Sequence, residues 1–227
     1  MFAKNKLIEM KKKILTLSII ALTLSFQSCN NNSKEAKITN QAKQEAVSSK
    51  EANTYKVDTL ASKITWEGGT LTSKHLGTII LQSGELKLKD SKIESGSFTA
   101  NMNTISTTDI SDPEKAKSLN NHLKNEDFFD VSKFPSSKFV ITSVKPIESG
   151  EYNVELEGNL EVKGITKNLS VKANVKAEGD KVTLKTEKFT INRQEFNITY
   201  SNGEPQDKLI KDLLDISVDI VANKEAN

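Results

Sequence analysis

The apolar positions of this chain alternate. Tyr152, Val154, Leu156, Gly158, Leu160, Val162 and Gly164 fall on even numbers. Leu169, Val171, Ala173, Val175 and Ala177 fall on odd ones, and Leu214, Ile216, Val218, Ile220 and Ala222 return to even. A strand turns successive side chains to opposite faces, so these runs predict strands with one apolar face and one polar face. Antiparallel sheets with a solvated outside read this way, whereas parallel strands covered on both sides read as continuous apolar runs. Turn sequences separate the runs: Gly68-Gly69, Asp90-Ser91, Glu148-Ser149-Gly150, Gly164, Glu178-Gly179-Asp180 and Ser201-Asn202-Gly203.

This punctuation predicts eight strands, near 55–67, 76–89, 93–104, 137–147, 151–163, 168–178, 181–192 and 212–222. A meander of long amphipathic strands must cover its one apolar face. Closing the sheet on itself does so and removes the unpaired edges. The expected fold is all-β, an eight-stranded antiparallel barrel just wide enough for packed side chains or one small ligand. A two-sheet sandwich is the alternative. Between Ser111 and Phe129 the alternation stops. Ser111 or Asp112 can cap a helix there, Pro113 suits its first turn, and Glu114 can complete a capping box. Leu119, His122 and Leu123 share one helical face, so a short helix is expected in a long connection between two strands.

The first fifty residues follow different rules. Lys11, Lys12 and Lys13 precede a charge-free, mostly apolar run from Ile14 to Phe26. That length suits a secretory signal and is short for a membrane span. Residues 1–28 are therefore read as a signal peptide, with Met10 a better start than Met1. The junction Phe26-Gln27-Ser28-Cys29 resembles a bacterial lipobox, with Phe26 where Leu is usual. The resemblance implies diacylation of the Cys29 sulfur and cleavage before it. The other reading is an ordinary signal peptide that leaves a spare thiol. Cys29 is the single cysteine, so no disulfide forms within the chain and a packed core must supply stability. Residues 30–53 are rich in Asn, Ser, Lys, Glu, Ala and Gln without an aromatic residue, and read as a disordered tether averaging roughly 25 Å end to end. The expected location is the cell envelope, with a membrane anchor at Cys29. Asn30, in place of the Asp that retains many lipoproteins in the inner membrane, favours the outer membrane.

Charge narrows the partners. The sequence as a whole carries +2, but residues 54–222 hold 22 basic against 25 acidic side chains. Nothing in that balance points to nucleic acid. Chemistry for catalysis is also thin. There are two histidines, His75 and His122, with no HxH or HExxH spacing for a metal. His122 reads as a structural histidine on its helix. Asp127 and Asp130 beside Lys133 read as solvated turn formers. Arg193 is the single arginine among 32 basic residues. Its forked guanidinium suits either a structural clamp at the barrel end or contact with a ligand headgroup.

Three motifs in order carry a family resemblance. The first is His122-Leu123-Lys124-Asn125-Glu126-Asp127-Phe128-Phe129-Asp130-Val131, continuing through Lys133-Phe134-Pro135 to Phe139. The second is Gly158-Asn159-Leu160-Glu161-Val162-Lys163-Gly164-Ile165-Thr166-Lys167, and the third runs from Phe189 through Arg193 to Phe196. Lys74-His75-Leu76-Gly77 adds an early element. Together they resemble the YceI-like family over about Thr54 to Ala222, with Glu161 in place of the family's usual Thr.

The resemblance implies a lipocalin-like barrel whose interior holds an isoprenoid lipid of polyprenyl or quinone type, with no cofactor required. Seven Phe lie in the folded part, four of them within twelve residues. The expected apolar tunnel is lined by Phe98, Leu119, Leu123, Phe128, Phe129 and Phe134, together with Phe139, Leu160, Phe189 and Phe196. Arg193 and His75 are the candidate headgroup contacts, and no metal is expected. The competing reading is a packed scaffold that acts as a stress-related interaction protein through surface loops, above all 104–134. An enzyme has little sequence support, and a homodimer is compatible with the fold.

Overall fold

The computed structural model describes residues 34–35, 37–39, 41–200 and 209–226. The signal segment, Cys29, residues 30–33 and the Ser201-Asn202-Gly203 turn lie outside the described residues. In chain order the elements are β1 (Lys34–Glu35), β2 (Lys37–Thr39), β3 (Asn53–Val57), β4 (Lys63–Gly69), β5 (Lys74–Lys89) and β6 (Lys92–Thr107). Helix α1 (Pro113–Lys124) follows, then β7 (Ser136–Pro146), β8 (Val154–Val162), β9 (Ile165–Glu178), β10 (Lys181–Thr186) and β11 (Phe189–Asn192). A single 3-10 turn (Arg193–Phe196) leads towards β12 (Leu213–Lys224).

From β5 to β10 each strand pairs antiparallel with the next. β10 pairs with β12, and β12 returns to β3 and β4, both of which pair with β5. The ring is closed with eight strand positions, as the alternation predicts. Two of those positions are broken strands. The one expected near 55–67 divides into β3 and β4, because the Asp58 carboxylate accepts the Leu60 and Ala61 N–H groups and turns the chain. The one expected near 181–192 divides into β10 and β11. There Glu187 closes the β9–β10 ladder: its N–H donates to Lys172 O, and its carboxylate accepts the Lys172 N–H at 3.0 Å.

Helix α1 forms where the alternation stops. Asp112 is its N-cap, accepting the N–H groups of Glu114 and Lys115 at 3.0 and 3.2 Å. With the cap at Asp112, Glu114 stands one residue too early to close a capping box. Asp130 is buried rather than solvated, with φ +45°, and its carboxylate accepts from Ser132 and Lys133. It pins the turn that delivers the chain to β7, and its backbone oxygen accepts the N–H of Phe134.

The barrel interior is not uniform. Tyr55, Leu86, Leu88, Ile93, Ile141, Val182 and Ala222 are buried together towards the end opposite α1. This half is closed core. The half towards α1 is hollow, as described below.

The N-terminal segment departs from the expectation of a disordered tether. β2 pairs with β9 (Lys37↔Ser170, Ile38↔Leu169, Thr39↔Asn168), and β1 runs parallel to β11. Together they fill the seam that opens where β11 leaves β9. The chain then crosses the outside of β8, β7 and β6. Lys43 is bonded to Asn159, the Ala46 N–H donates to Ile141 O at 2.9 Å, and the Ser49 N–H donates to the Glu94 carboxylate at 2.6 Å. Composition could not reveal this. The segment buries little apolar surface and is held mainly by backbone hydrogen bonds to groups that the barrel leaves exposed.

Candidate functional site

A cavity of about 360 Å³ occupies the half of the barrel beneath α1. Its wall is the inward face of the alternating strands. Ile79 and Leu81 come from β5, Phe98, Ala100, Met102 and Ile105 from β6, and Leu169 and Val171 from β9. The opposite wall is Leu214, Ile216, Val218 and Ile220 of β12, with Ile64 and Trp66 of β4. These strands alternate because the barrel needs one apolar face, and the cavity is that face left unfilled.

Nine of the ten residues expected to line a tunnel are on its wall: Phe98, Leu119, Leu123, Phe128, Phe129, Phe139, Leu160, Phe189 and Phe196. Leu119 and Leu123 hang from α1 across the end. Phe134 is not on the wall. Its ring is folded outward onto Gly164, where a Cβ would stand 2.8 Å from the Phe134 Cε1. Gly164 takes φ +74°, so the β8–β9 turn needs glycine for its conformation and for this contact.

Both headgroup candidates border the cavity, and the Arg193 guanidinium and His75 Nδ1 are already engaged. Arg193 is 1% exposed. Its Nε donates to Lys211 O at 3.1 Å, Nη2 to Ile210 O at 3.2 Å and Nη1 to Ile198 O. Nη2 also pairs with Asp212 Oδ1 at 3.1 Å. Burial pulls the guanidinium below its ordinary pKa and Asp212 opposes that pull. This geometry is the structural clamp, gathering the chain on either side of residues 201–208. His75 Nδ1 lies 3.0 Å from Asp109 Oδ2. Burial alone would raise the Asp109 pKa, but the Thr107 hydroxyl, the Leu76 N–H and His75 outweigh it and bring it down to about 2. Asp109 is thus a carboxylate at any ordinary pH.

His122 also faces the cavity, packed edge-on between Phe128 and Tyr200 at ring distances of 5.0 and 4.8 Å. Its Nε2 lies 3.3 Å from Asp127 Oδ2. Among the described residues no group of three or more His, Cys, Asp or Glu side chains is placed to hold a metal.

Sequence reasoning missed Trp66. It is the only tryptophan of the chain and stands in an even-numbered alternation with Ile64 and Gly68, a signal that was available. Its indole lies over Gly77 of β5, where a Cβ would come within 2.3 Å of Cε2 and Cζ2.

The YceI-like domain model matches residues 55–222. A UPF0312 protein of Shewanella denitrificans is 34% identical over 96 residues, 42% of this chain and 47% of that protein. This match spans about half the length of that relative. Among solved structures, BcnA of Burkholderia cenocepacia shares the fold with TM-score 0.59 at 24% identity, over 74% of this chain and 99% of that one. A polyisoprenoid binding domain from Saccharophagus degradans, implicated in plant cell wall breakdown, aligns with TM-score 0.53 at 10% identity, over 75% of this chain and 98% of that one. The closed eight-stranded ring, the hollow upper half and the family match over residues 55–222 lead to one conclusion: the chain belongs to the YceI-like family.

Proposed function

We propose that this protein is a lipid-anchored envelope protein whose barrel binds and carries an isoprenoid lipid, with the apolar chain in the cavity beneath α1. The supporting observation is the contrast inside one barrel. The end opposite α1 is filled by large buried side chains, whereas the half under α1 keeps about 360 Å³ of space behind apolar walls. That volume lies in the range of ligand sites, and an apolar cavity of this kind favours an apolar occupant over water. The ligand class is taken from the Saccharophagus neighbour, described as polyisoprenoid-binding. The anchor rests on the lipobox-like junction ending at Cys29.

The test is native mass spectrometry of protein exported in bacteria and purified without detergent, followed by organic extraction. A bound species of prenyl-lipid mass near unit occupancy is expected, with an acyl-modified N-terminus at Cys29 in the membrane fraction. A protein that stays at its apo mass after incubation with prenylated lipids overturns the carrier reading and favours a scaffold acting through its loops.

A further inference from the structure

Most polar groups that border the cavity are committed. The Arg193 guanidinium faces Asp212 and three backbone carbonyls. The Thr186 hydroxyl accepts the Val218 N–H. The Thr70 hydroxyl accepts the N–H groups of Thr72 and Ser73 and bonds the Ser73 hydroxyl at 2.9 Å. The Trp66 indole nitrogen is closed off even to water. His75 differs, because only one of its ring nitrogens is used. Nδ1 meets Asp109 Oδ2 at 3.0 Å. Nε2 has no hydrogen-bond partner among the described residues and is not closed off, in a side chain that is 34% exposed.

The strand register turns this ring inward. In the β4–β5 ladder Ile64 stands opposite Ile79, Trp66 opposite Gly77 and Gly68 opposite His75. Ile64, Trp66, Gly68, His75 and Ile79 all line the cavity, so His75 is the outermost member of an inward row. Gly68 offers no side chain to engage Nε2. Asp109 comes from the opposite flank, since β6 follows β5 with Thr107 opposite Gly77. The Thr107 hydroxyl at 2.5 Å and the Leu76 N–H at 3.1 Å hold the Asp109 carboxylate in place. With Nδ1 bound on that flank, the five-membered ring directs Nε2 away from Asp109, at the mouth of the apolar space.

Charge and lone pairs define what can meet it. Asp109 is a carboxylate at any ordinary pH, so it accepts from Nδ1–H and leaves Nε2 of the neutral ring with a lone pair. Such a nitrogen takes a hydrogen bond and gives none. An ether or ketone oxygen would set lone pair against lone pair. A phosphate would bring negative charge beside the Asp109 carboxylate. The neighbouring cations do not offset that charge. Lys74 is paired with Glu67 at 2.6 Å, and Lys138 is turned outward because Phe139, next to it on β7, faces the cavity. A hydroxyl end supplies the one donor that Nε2 needs.

We propose that His75 Nε2 receives the polar end of the ligand at the cavity mouth and favours an apolar chain ending in a hydroxyl, such as a prenyl alcohol, over the corresponding ether or phosphate. This rests on the carrier reading above. It adds the end chemistry that the cavity prefers and the residue that sets the preference.

The experiment compares three probes of equal prenyl length: a prenyl alcohol, its methyl ether and a prenyl phosphate. Each displaces a fluorescent apolar dye from the wild-type chain, from His75→Phe and from His122→Phe. His122 is the comparison because it also lines the cavity, with its ring packed between Phe128 and Tyr200. The alcohol is expected to bind the wild type about fivefold more tightly than the ether or the phosphate, the worth of one hydrogen bond. His75→Phe is expected to remove that margin and His122→Phe to keep it. A variant that fails to fold does not block the test, because the wild-type ring can be read directly by ¹⁵N NMR. His75 Nε2 must show the shift of an unprotonated ring nitrogen, and in the alcohol complex it must resonate upfield of its position in the ether complex. Equal affinities, a preference for the phosphate, a margin that survives in His75→Phe, a protonated Nε2 or one shift in both complexes would overturn the role of His75 and leave the carrier reading standing. Binding of none of the probes would end both.

Discussion

Asn168 donates its side-chain N–H to Asn159 Oδ1 across 3.0 Å, and Asn159 in turn holds Lys43 by both of its backbone polar groups. The Lys43 N–H reaches Asn159 Oδ1 at 2.9 Å, and Asn159 Nδ2 donates to Lys43 O at 2.7 Å. Asn159 thus imitates one residue of a neighbouring strand and fastens the N-terminal segment to the outside of β8. Asn159→Ala removes three hydrogen bonds and leaves the buried Asn168 amide short of a partner. At about 1 kcal/mol for each bond, a loss of about 2–3 kcal/mol in urea unfolding is expected. The segment before Asn53 should become the first site of limited proteolysis.

Arg193 poses a different stability question, because one side chain closes several carbonyls at once. Lysine carries the charge but not the planar fork, and cannot reach Ile198, Ile210 and Lys211 together. Arg193→Lys is expected to cost about 2–4 kcal/mol, because buried carbonyls lose their donors. In a domain of this size that is a fall of roughly 6–12 °C in Tm, readable by calorimetry.

The sequence carried the ring of strands because the barrel needs one apolar face and the alternation records it residue by residue. It also carried most of the cavity wall, since a residue such as Leu160 or Phe189 faces inward whether the interior is full or empty. That same fact hides the cavity itself: the pattern cannot say which inward residues leave a gap. Bulges hide more. The β5 ladder shifts register between Leu81 and Ser83, so the inward set changes from odd (Ile79, Leu81) to even (Leu86, Leu88) within one strand. Phe134 was misplaced because an aromatic cluster signals burial, and burial on a turn glycine satisfies that signal as well as a cavity does. The N-terminal segment was misread because apolar content is the wrong measure for a chain held by Asn159 and by backbone groups.

Asp109 gives the protein an acid limit that can be isolated. Its pKa lies at about 2 when folded against 3.8 for the free group, so the unfolded chain binds a proton first as pH falls. Its contribution is fully present above about pH 4 and is lost as pH drops through about 2. Asp109→Asn keeps the shape and loses the titration. The wild type should be the more stable protein at pH 6, and the gap in urea midpoint should shrink between pH 4 and pH 2. Parallel curves over that range would show that Asp109 does not carry the effect.

The seam between β9 and β11 leads to the last expectation. β10 pairs with β9 only as far as Thr186↔Ala173, and β11 then pairs with β12 on one side. Without the N-terminal segment, the wall between Leu169 and Phe189, both of which line the cavity, has no backbone bridge. Ile38 stands opposite Leu169 and packs against the core, so β2 closes this seam with a side chain as well as hydrogen bonds. A chain beginning at Ala52 keeps every strand of the ring and should still fold, since β3 still pairs with β5 and β12. Its cavity, however, acquires a side opening. An apolar fluorescent probe should therefore leave the shortened chain several-fold faster than one beginning at Asn30, with little change in the total amount bound. Equal release rates would mean that the probe leaves only past α1 and that β2 serves stability alone.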